Sequence, residues 1–177
     1  MAVDIRVPPV VFKTRREIDE APGFEWYDLS ANEMFANRRV AVFGLPGAFT
    51  PTCSSTHVPT FDAYYDEICG HNIDEIYCIS VNDAFVMNSW FKQLGVQNVQ
   101  PVPDGSGIFS RKMGFLVDKT NIGMGMRSWR YSMIVNNGVV EMIWVEPGLD
   151  DNAEGDPFQV SDAHTMLKWL EASAQQS

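Results

Sequence analysis

The sequence predicts an α/β fold with a parallel core. Two observations carry the prediction: strand and helix patterns alternate through residues 39–94, and a tight hairpin follows at residues 129–145. The first strand is the run Arg39-Val40-Ala41-Val42-Phe43-Gly44-Leu45, which stops at Pro46-Gly47 and is apolar enough to be a buried central strand. A loop over residues 47–52 leads to Cys53 and then to a helix bearing Phe61, Tyr64, Tyr65 and Ile68, ending at Gly70. A kink is expected at Pro59, because proline removes a donor from the helical ladder. The second strand is Ile76-Tyr77-Cys78-Ile79-Ser80-Val81, and Asn82-Asp83 can cap the helix carrying Phe85, Val86, Trp90, Phe91 and Leu94. Right-handed crossovers between such strands gather loops at their C-terminal ends, where sites usually lie.

Residues 129–135 and 139–145 flank Asn136-Asn137-Gly138, whose Asn-Gly pair readily takes the positive φ angles of a tight turn. Residues 150–157 read as an acidic surface loop. Ser161-Asp162 then starts a last helix with Met166, Leu167 and Leu170 inward, and residues 172–177 read as a fraying tail. No repeat or low-complexity tract divides the chain, so residues 1–177 are expected to form one domain.

Composition narrows the function. The chain has 177 residues, 45% of them hydrophobic, enough for a substantial core. A net charge of -10 argues against nucleic acid or an anionic membrane as partner and points to a small or neutral substrate. No apolar run approaches the ~18 residues of a membrane span, and charge and proline interrupt the N-terminus before a signal-peptide core could form. The expectation is a soluble, cytoplasmic protein. Three cysteines at irregular spacing fit neither a secreted disulfide framework nor a zinc pattern, so free thiols and no metal are expected.

Among the thiols, Cys53 stands apart. It follows a strand and the proline-fenced loop Pro46-Gly47-Ala48-Phe49-Thr50-Pro51-Thr52, which puts it in the first turn of a helix. Unpaired N–H groups and the positive end of the helix dipole favour an anion there, and a thiolate is a nucleophile. Cys78 lies mid-strand, where inert packing is the ordinary reading. Cys69 lies near a helix C-terminus, where carbonyl dipoles disfavour a thiolate.

Pro46, Thr50 and Cys53 match the P-x-x-x-T-x-x-C pattern of the peroxiredoxins. The segments GLPGAFTPTCSSTHVP, CISVNDAFVMNSW, RSWRYSMIV and EGDPFQVSDAHTML resemble the subfamily of plant type II enzymes and the peroxiredoxin half of bacterial peroxiredoxin/glutaredoxin hybrids. The resemblance implies a thioredoxin-like fold, a central mixed sheet flanked by helices, with extra N-terminal and inserted elements. It implies reduction of hydrogen peroxide and organic hydroperoxides, with Cys53 as the peroxidatic cysteine and no bound cofactor. Thr50 would hydrogen-bond thiolate and peroxide, Pro46 would shield the pocket, and Arg130 would be the catalytic arginine. A guanidinium suits that role, because its charge stabilises a thiolate and its fixed donors can orient a peroxide oxygen.

An external thiol would complete the cycle: glutathione with glutaredoxin, or thioredoxin as the second choice. The resemblance also implies a homodimer. In plant relatives a cysteine at the position of Cys78 has been considered a resolving partner, which here would need local unfolding. No cysteine follows Cys78, so the late resolving cysteine of the animal branch has no counterpart. His57, one turn after Cys53, reads as a packing or surface residue before a proton-transfer group. Arg127 is expected to point away from Arg130 if the segment is extended. Asn82, Asp83 and Asp150-Asp151 read as caps and surface, and Met113, Met124, Met126 and Met133 as packing. A peroxide sensor or relay acting through Cys53 is the rival reading. A thioredoxin-type oxidoreductase is disfavoured, since no C-x-x-C pair exists.

Overall fold

The computed structural model describes residues 4–19 and 23–176. The first three residues of the charged N-terminus, residues 20–22 and the tail residue Ser177 lie outside the described residues. Strands β1 (Val11–Ile18) and β2 (Gly23–Ser30) form an antiparallel hairpin, and the short helix α1 (Ala31–Phe35) follows, capped by Ser30. The central sheet contains β3 (Arg39–Leu45), β4 (Glu75–Ser80), β5 (Gln100–Pro103), β8 (Tyr131–Asn136) and β9 (Val139–Val145) in the order β5-β4-β3-β8-β9. Pairing of β3 with β4 and of β4 with β5 is parallel, whereas β8 runs antiparallel to both β3 and β9. Beside the sheet, β6 (Leu116–Asp118) pairs with β7 (Met126–Ser128).

Strand periodicity sorts the core into two layers. Ala41, Phe43 and Leu45 of β3, with Ile76 and Cys78 of β4, face one layer; Val40, Val42, Tyr77 and Ile79 face the other. The first layer is completed by helices α2 (Val58–Ala63), α3 (Tyr65–Cys69), α4 (Ala84–Leu94) and α6 (Ala163–Ala174), through Phe61, Ile68, Trp90, Met166 and Leu170. The second is closed by α1, by α5 (Ile108–Met113) and by Phe12 of the N-terminal hairpin. Burying each large side chain contributes about 1.5–3 kcal/mol. At the sheet edge, Pro101 and Pro103 deprive β5 of ladder donors, which suits an edge strand.

Both expected caps form: Asp83 accepts from Val86 N–H at the head of α4, and Asp162 from Thr165 N–H at the head of α6. Three expectations change. The helix after Cys53 breaks not at Pro59 but at Tyr64, between α2 and α3, where the backbone leaves the helical region (φ -95°, ψ 12°). Asn82 caps nothing; its carbonyl oxygen accepts from Ser80 Oγ at 2.6 Å and from Ala48 N–H at 3.0 Å. Residues 172–174 belong to α6 and not to a tail.

Candidate active site

The site grows from the end of β3. Gly44 lies opposite Tyr131 in the ladder with β8, and a Cβ on Gly44 would come within 2.2 Å of the Tyr131 ring. Only glycine leaves room for that ring. Beyond Leu45 the chain turns through Pro46 and Gly47; the Asn82 side chain pins it by accepting from Ala48 N–H, and the Thr50 hydroxyl donates to Gly47 C=O at 2.7 Å. Phe49 takes φ 63°, uncommon for a bulky residue, so the loop is held in a costly shape beside Cys53. The helix begins at Pro51, and Ser54 N–H makes its first bond, to Thr50 C=O. Cys53 therefore occupies the third helical position, ahead of the helix's own hydrogen-bond ladder.

From Cys53 to His57 the helix widens into a π turn, closed by Val58 N–H donating to Cys53 C=O. Cys53 and His57 are fully buried. The Arg130 guanidinium, just before β8 and 1% exposed, joins them: Nη2 donates to Cys53 Sγ at 3.3 Å and Nη1 to His57 Nδ1 at 2.9 Å. Its other edge is held by Asp156, with Nη2–Oδ2 at 2.7 Å and Nε–Oδ1 at 3.2 Å. His57 Nε2 lies 3.0 Å from Ser161 C=O, and a carbonyl only accepts, so the ring is the Nε2–H tautomer with Nδ1 free to accept from Arg130. Phe43 and Phe158 pack against the imidazole, each at 4.8 Å between ring centroids.

Electrostatics follow from this enclosure. Burial, reinforced by the Arg130 charge, holds the His57 pKa well below its ordinary value, so the ring is neutral. Burial also works against the Arg130 charge, but the Cys53 sulfur and the Asp156 carboxylate outweigh it and raise its pKa. The buried Glu146 carboxylate accepts from the backbone N–H groups of Gln159, Val160 and Ser161, fixing the loop that presents the Ser161 carbonyl to His57. Outside Cys53 lies an open cleft of about 570 Å³ lined in part by Pro46, Thr50, Lys119, Ile122, Met124 and Asp156.

A Redoxin family model matches residues 19–167. The chain is 51% identical over 171 residues to Peroxiredoxin sll1621 of Synechocystis sp., covering 95% of this chain and 90% of that protein. Hybrid peroxiredoxin hyPrx5 of Haemophilus influenzae is 49% identical over 165 residues, covering 93% of this chain and 64% of the longer relative. Among solved structures, the Plasmodium falciparum antioxidant protein, a 1-Cys peroxiredoxin, matches with a TM-score of 0.90 and 32% identity, covering 96% of this chain and 99% of that one. The chain belongs to the peroxiredoxin family. Its mixed sheet flanked by helices is the thioredoxin-like arrangement that the sequence resemblance implied.

In this peroxiredoxin, Cys53 and Arg130 are in direct contact, while Thr50 and Pro46 share the cleft at the mouth of the site. The Thr50 proton goes to Gly47 C=O and not to the sulfur, which leaves the hydroxyl oxygen as an acceptor. Arg127 stands apart from Arg130: its Nε donates to Met124 C=O and its Nη1 lies against Gly47. His57 is not at the surface: it is fully buried, packed against Phe43 and Phe158, and bridges Arg130 and Ser161. Asp156 was missed altogether. It lies in the stretch read as acidic surface, 26 residues beyond Arg130, and nothing local marks it as the arginine's partner. Of the four methionines read as packing, Met133 is buried, whereas Met124 lines the cleft and Met126 is 48% exposed.

Cys78 is fully buried in β4, and burial, with the nearby Cys53, raises its pKa well above the ordinary value. Cys69 is half-buried. Burial raises its pKa, and Glu75, Asp66 and Asp74 add to this against the opposing hydrogen bond with Tyr65.

Proposed function

We propose that this thiol peroxidase reduces hydrogen peroxide and alkyl hydroperoxides through a sulfenic acid at Cys53. The Cys53–Arg130 contact, with both groups buried and Arg130 held by His57 and Asp156, carries the reading. The Cys53 thiolate attacks the terminal oxygen of ROOH; an S–O bond forms, the O–O bond breaks, and the electron pair leaves with RO⁻, which takes a proton to become water or alcohol. Negative charge moves from sulfur to the departing oxygen. Arg130 lies on that path and stabilises the charge during transfer. The Cys53 N–H, outside the helical ladder, offers a second donor, and the Thr50 oxygen can accept the peroxide proton. Pro46 walls the cleft against water.

The sulfenic acid is the reversible rung of cysteine oxidation. Glutathione condenses with it, releasing water and leaving a mixed disulfide, which a second thiol, delivered by glutaredoxin, reduces. Two observations support an external thiol: the Cys78 sulfur is buried in the central sheet, and the similarity to a hybrid peroxiredoxin favours glutaredoxin as the donor. Thioredoxin is the second choice of reductant. The protein acts in the cytoplasm, as a homodimer.

Steady-state turnover with hydrogen peroxide, glutathione and glutaredoxin tests this reading. Cys53→Ser should abolish turnover, while Cys69→Ser and Cys78→Ser retain most of it. Intact mass after one equivalent of peroxide should show one added oxygen, replaced by a glutathionyl adduct when glutathione is present. Loss of turnover in Cys78→Ser with the first oxidation intact would refute the one-cysteine cycle.

A further inference from the structure

Between β9 and α6 the chain runs without regular structure, yet this stretch supplies much of what surrounds the Arg130 guanidinium. The Asp156 carboxylate pairs with Arg130 Nη2 and Nε. The centre of the Phe158 ring lies 5.4 Å from the guanidinium carbon and 4.8 Å from the centre of the His57 ring, and the Ser161 carbonyl lies 3.0 Å from His57 Nε2. No strand or helix ladder holds these three residues in place. The Glu146 side chain does. It is 1% exposed, and its oxygens accept from the backbone N–H groups of Gln159, Val160 at 2.9 Å and Ser161 at 2.8 Å. Burying a carboxylate is costly, and these donors offset the cost; an apolar side chain in its place would leave all of them unpaired. Among the described residues Glu146 makes no ion pair, so its charge acts on the backbone alone.

The main chain of the same residue reaches the other end of the arginine. Glu146 N–H donates to Arg130 C=O at 3.1 Å, and Glu146 C=O accepts from the Trp129 indole N–H at 2.7 Å. Glu146 thus fixes the root of Arg130 through its backbone and the surroundings of the guanidinium through its carboxylate. The hydrogen bonds close a circuit from Glu146 to Ser161, on to His57, to Arg130 and back to Glu146. We propose that Glu146 is a positioning residue for peroxide attack: its carboxylate seats residues 156–161 against Arg130 and so keeps Nη2 at 3.3 Å from the Cys53 sulfur. Asp156 shows why the seat matters. Its side chain is 39% exposed and lines the cleft, whereas Arg130 and Cys53 are buried. Once the segment loosens, the Asp156–Arg130 pair is free to move outward as a unit and take the guanidinium off the sulfur. The charge leaving Cys53 in the transition state then loses a donor, and attack slows.

The proposal rests on the peroxidase reading of Cys53, and the test separates the two. Loss of the Cys53 thiol after mixing with hydrogen peroxide is timed in the reduced wild type, Glu146→Gln, Arg130→Ala and the double variant, each shown to be folded by its urea transition. Glu146→Gln keeps the size but sets an amide N–H group against backbone donors, and should slow attack about tenfold. In the Arg130→Ala background the same change should alter the rate by less than about twofold, because the group it acts through is gone. Equal slowing in both backgrounds means that Glu146 serves only the fold and overturns the proposal, as does a Glu146→Gln rate equal to wild type; oxidation of wild-type Cys53 leaves the peroxidase reading standing in either case. No oxidation of wild-type Cys53 overturns both. A second readout is exchange of the His57 Nε2 proton with water, followed by NMR with isotope-labelled histidine. It should quicken at least about tenfold in Glu146→Gln as the Ser161 carbonyl is released, and an unchanged exchange rate overturns the circuit through His57. Should Glu146→Gln not fold, Glu146→Asp takes its place, keeping the charge on a shorter stem, with an expected slowing of about threefold and the same cancellation in the Arg130→Ala background.

Discussion

Protonating His57 would place a second positive charge 2.9 Å from Arg130 Nη1 and remove the lone pair that accepts from it. The fold resists this, which is why burial and Arg130 hold the His57 pKa below its ordinary 6.5. The sign of the linkage follows. Above about pH 6.5 the ring is neutral in both folded and unfolded chains; below it the unfolded chain gains a proton that the folded protein refuses, so stability falls with pH. Urea unfolding between pH 7 and 5 should therefore lose up to about 1.4 kcal/mol per pH unit more in the wild type than in His57→Asn. Equal slopes would show that His57 titrates alike in both states. The same site ranks Arg130 above Asp156 in catalysis, because one touches the sulfur and the other only aims the guanidinium. Arg130→Ala should slow peroxide attack by about 10²–10³-fold. Asp156→Asn keeps the shape but loses the charge that anchors Arg130, and should cost about tenfold. Rates of thiol loss in the reduced variants after mixing with hydrogen peroxide would give both numbers; an Asp156→Asn rate equal to wild type would show that His57 alone positions the arginine.

Between β3 and β8 the constraint is steric and belongs to the pair of strands. Gly44 and Tyr131 are ladder partners, and the Tyr131 ring, stacked on Phe115 at 4.3 Å, occupies the space a Gly44 side chain would need. Tyr131 also directly follows Arg130 at the start of β8, so the ring that fills the gap anchors the strand end that carries the guanidinium. Gly44→Ala should force the strands apart and lower stability by about 1–3 kcal/mol, read as a reduced urea midpoint at unchanged slope. It should also slow peroxide attack, since Arg130 moves with the end of β8. An unchanged midpoint would mean that the Tyr131 ring can rotate clear. The loop after β9 works by a different means: Glu146 collects three backbone N–H groups and so turns an irregular segment into a rigid support for His57.

At the scale of the whole molecule, most of the agreement between sequence and structure lies where the signal is local. The apolar runs of β3 and β4, the Asn137-Gly138 turn and the Asp83 and Asp162 caps each depend on neighbours in the chain, and each forms as expected. The β1–β2 hairpin gave no such signal, because its strands are largely exposed and held by pairs such as Lys13–Asp28 and Arg16–Glu25 rather than by a buried face. The site divides likewise: Pro46, Thr50 and Cys53 lie within one short motif, whereas the Arg130–Asp156 pair and the Glu146 clamp arise only when distant loops meet. The same architecture sets the three thiols at different depths. Cys69 is half-buried at the end of α3, Cys53 is buried in the opening turns of a helix, and Cys78 is buried in β4 with β3 and β5 on either side. Exposing them should require, in that order, little opening, unwinding of the turns around Cys53, and rupture of the central sheet. Pulse labelling with a thiol reagent across a urea series, read by peptide mass, should modify Cys69 without denaturant and Cys53 before the global transition. Cys78 should follow with a free energy equal to that of global unfolding measured by tryptophan fluorescence. Labelling of Cys78 ahead of that transition would mean that the sheet opens in part, and Cys78 would then come within reach of oxidised Cys53 as a disulfide partner.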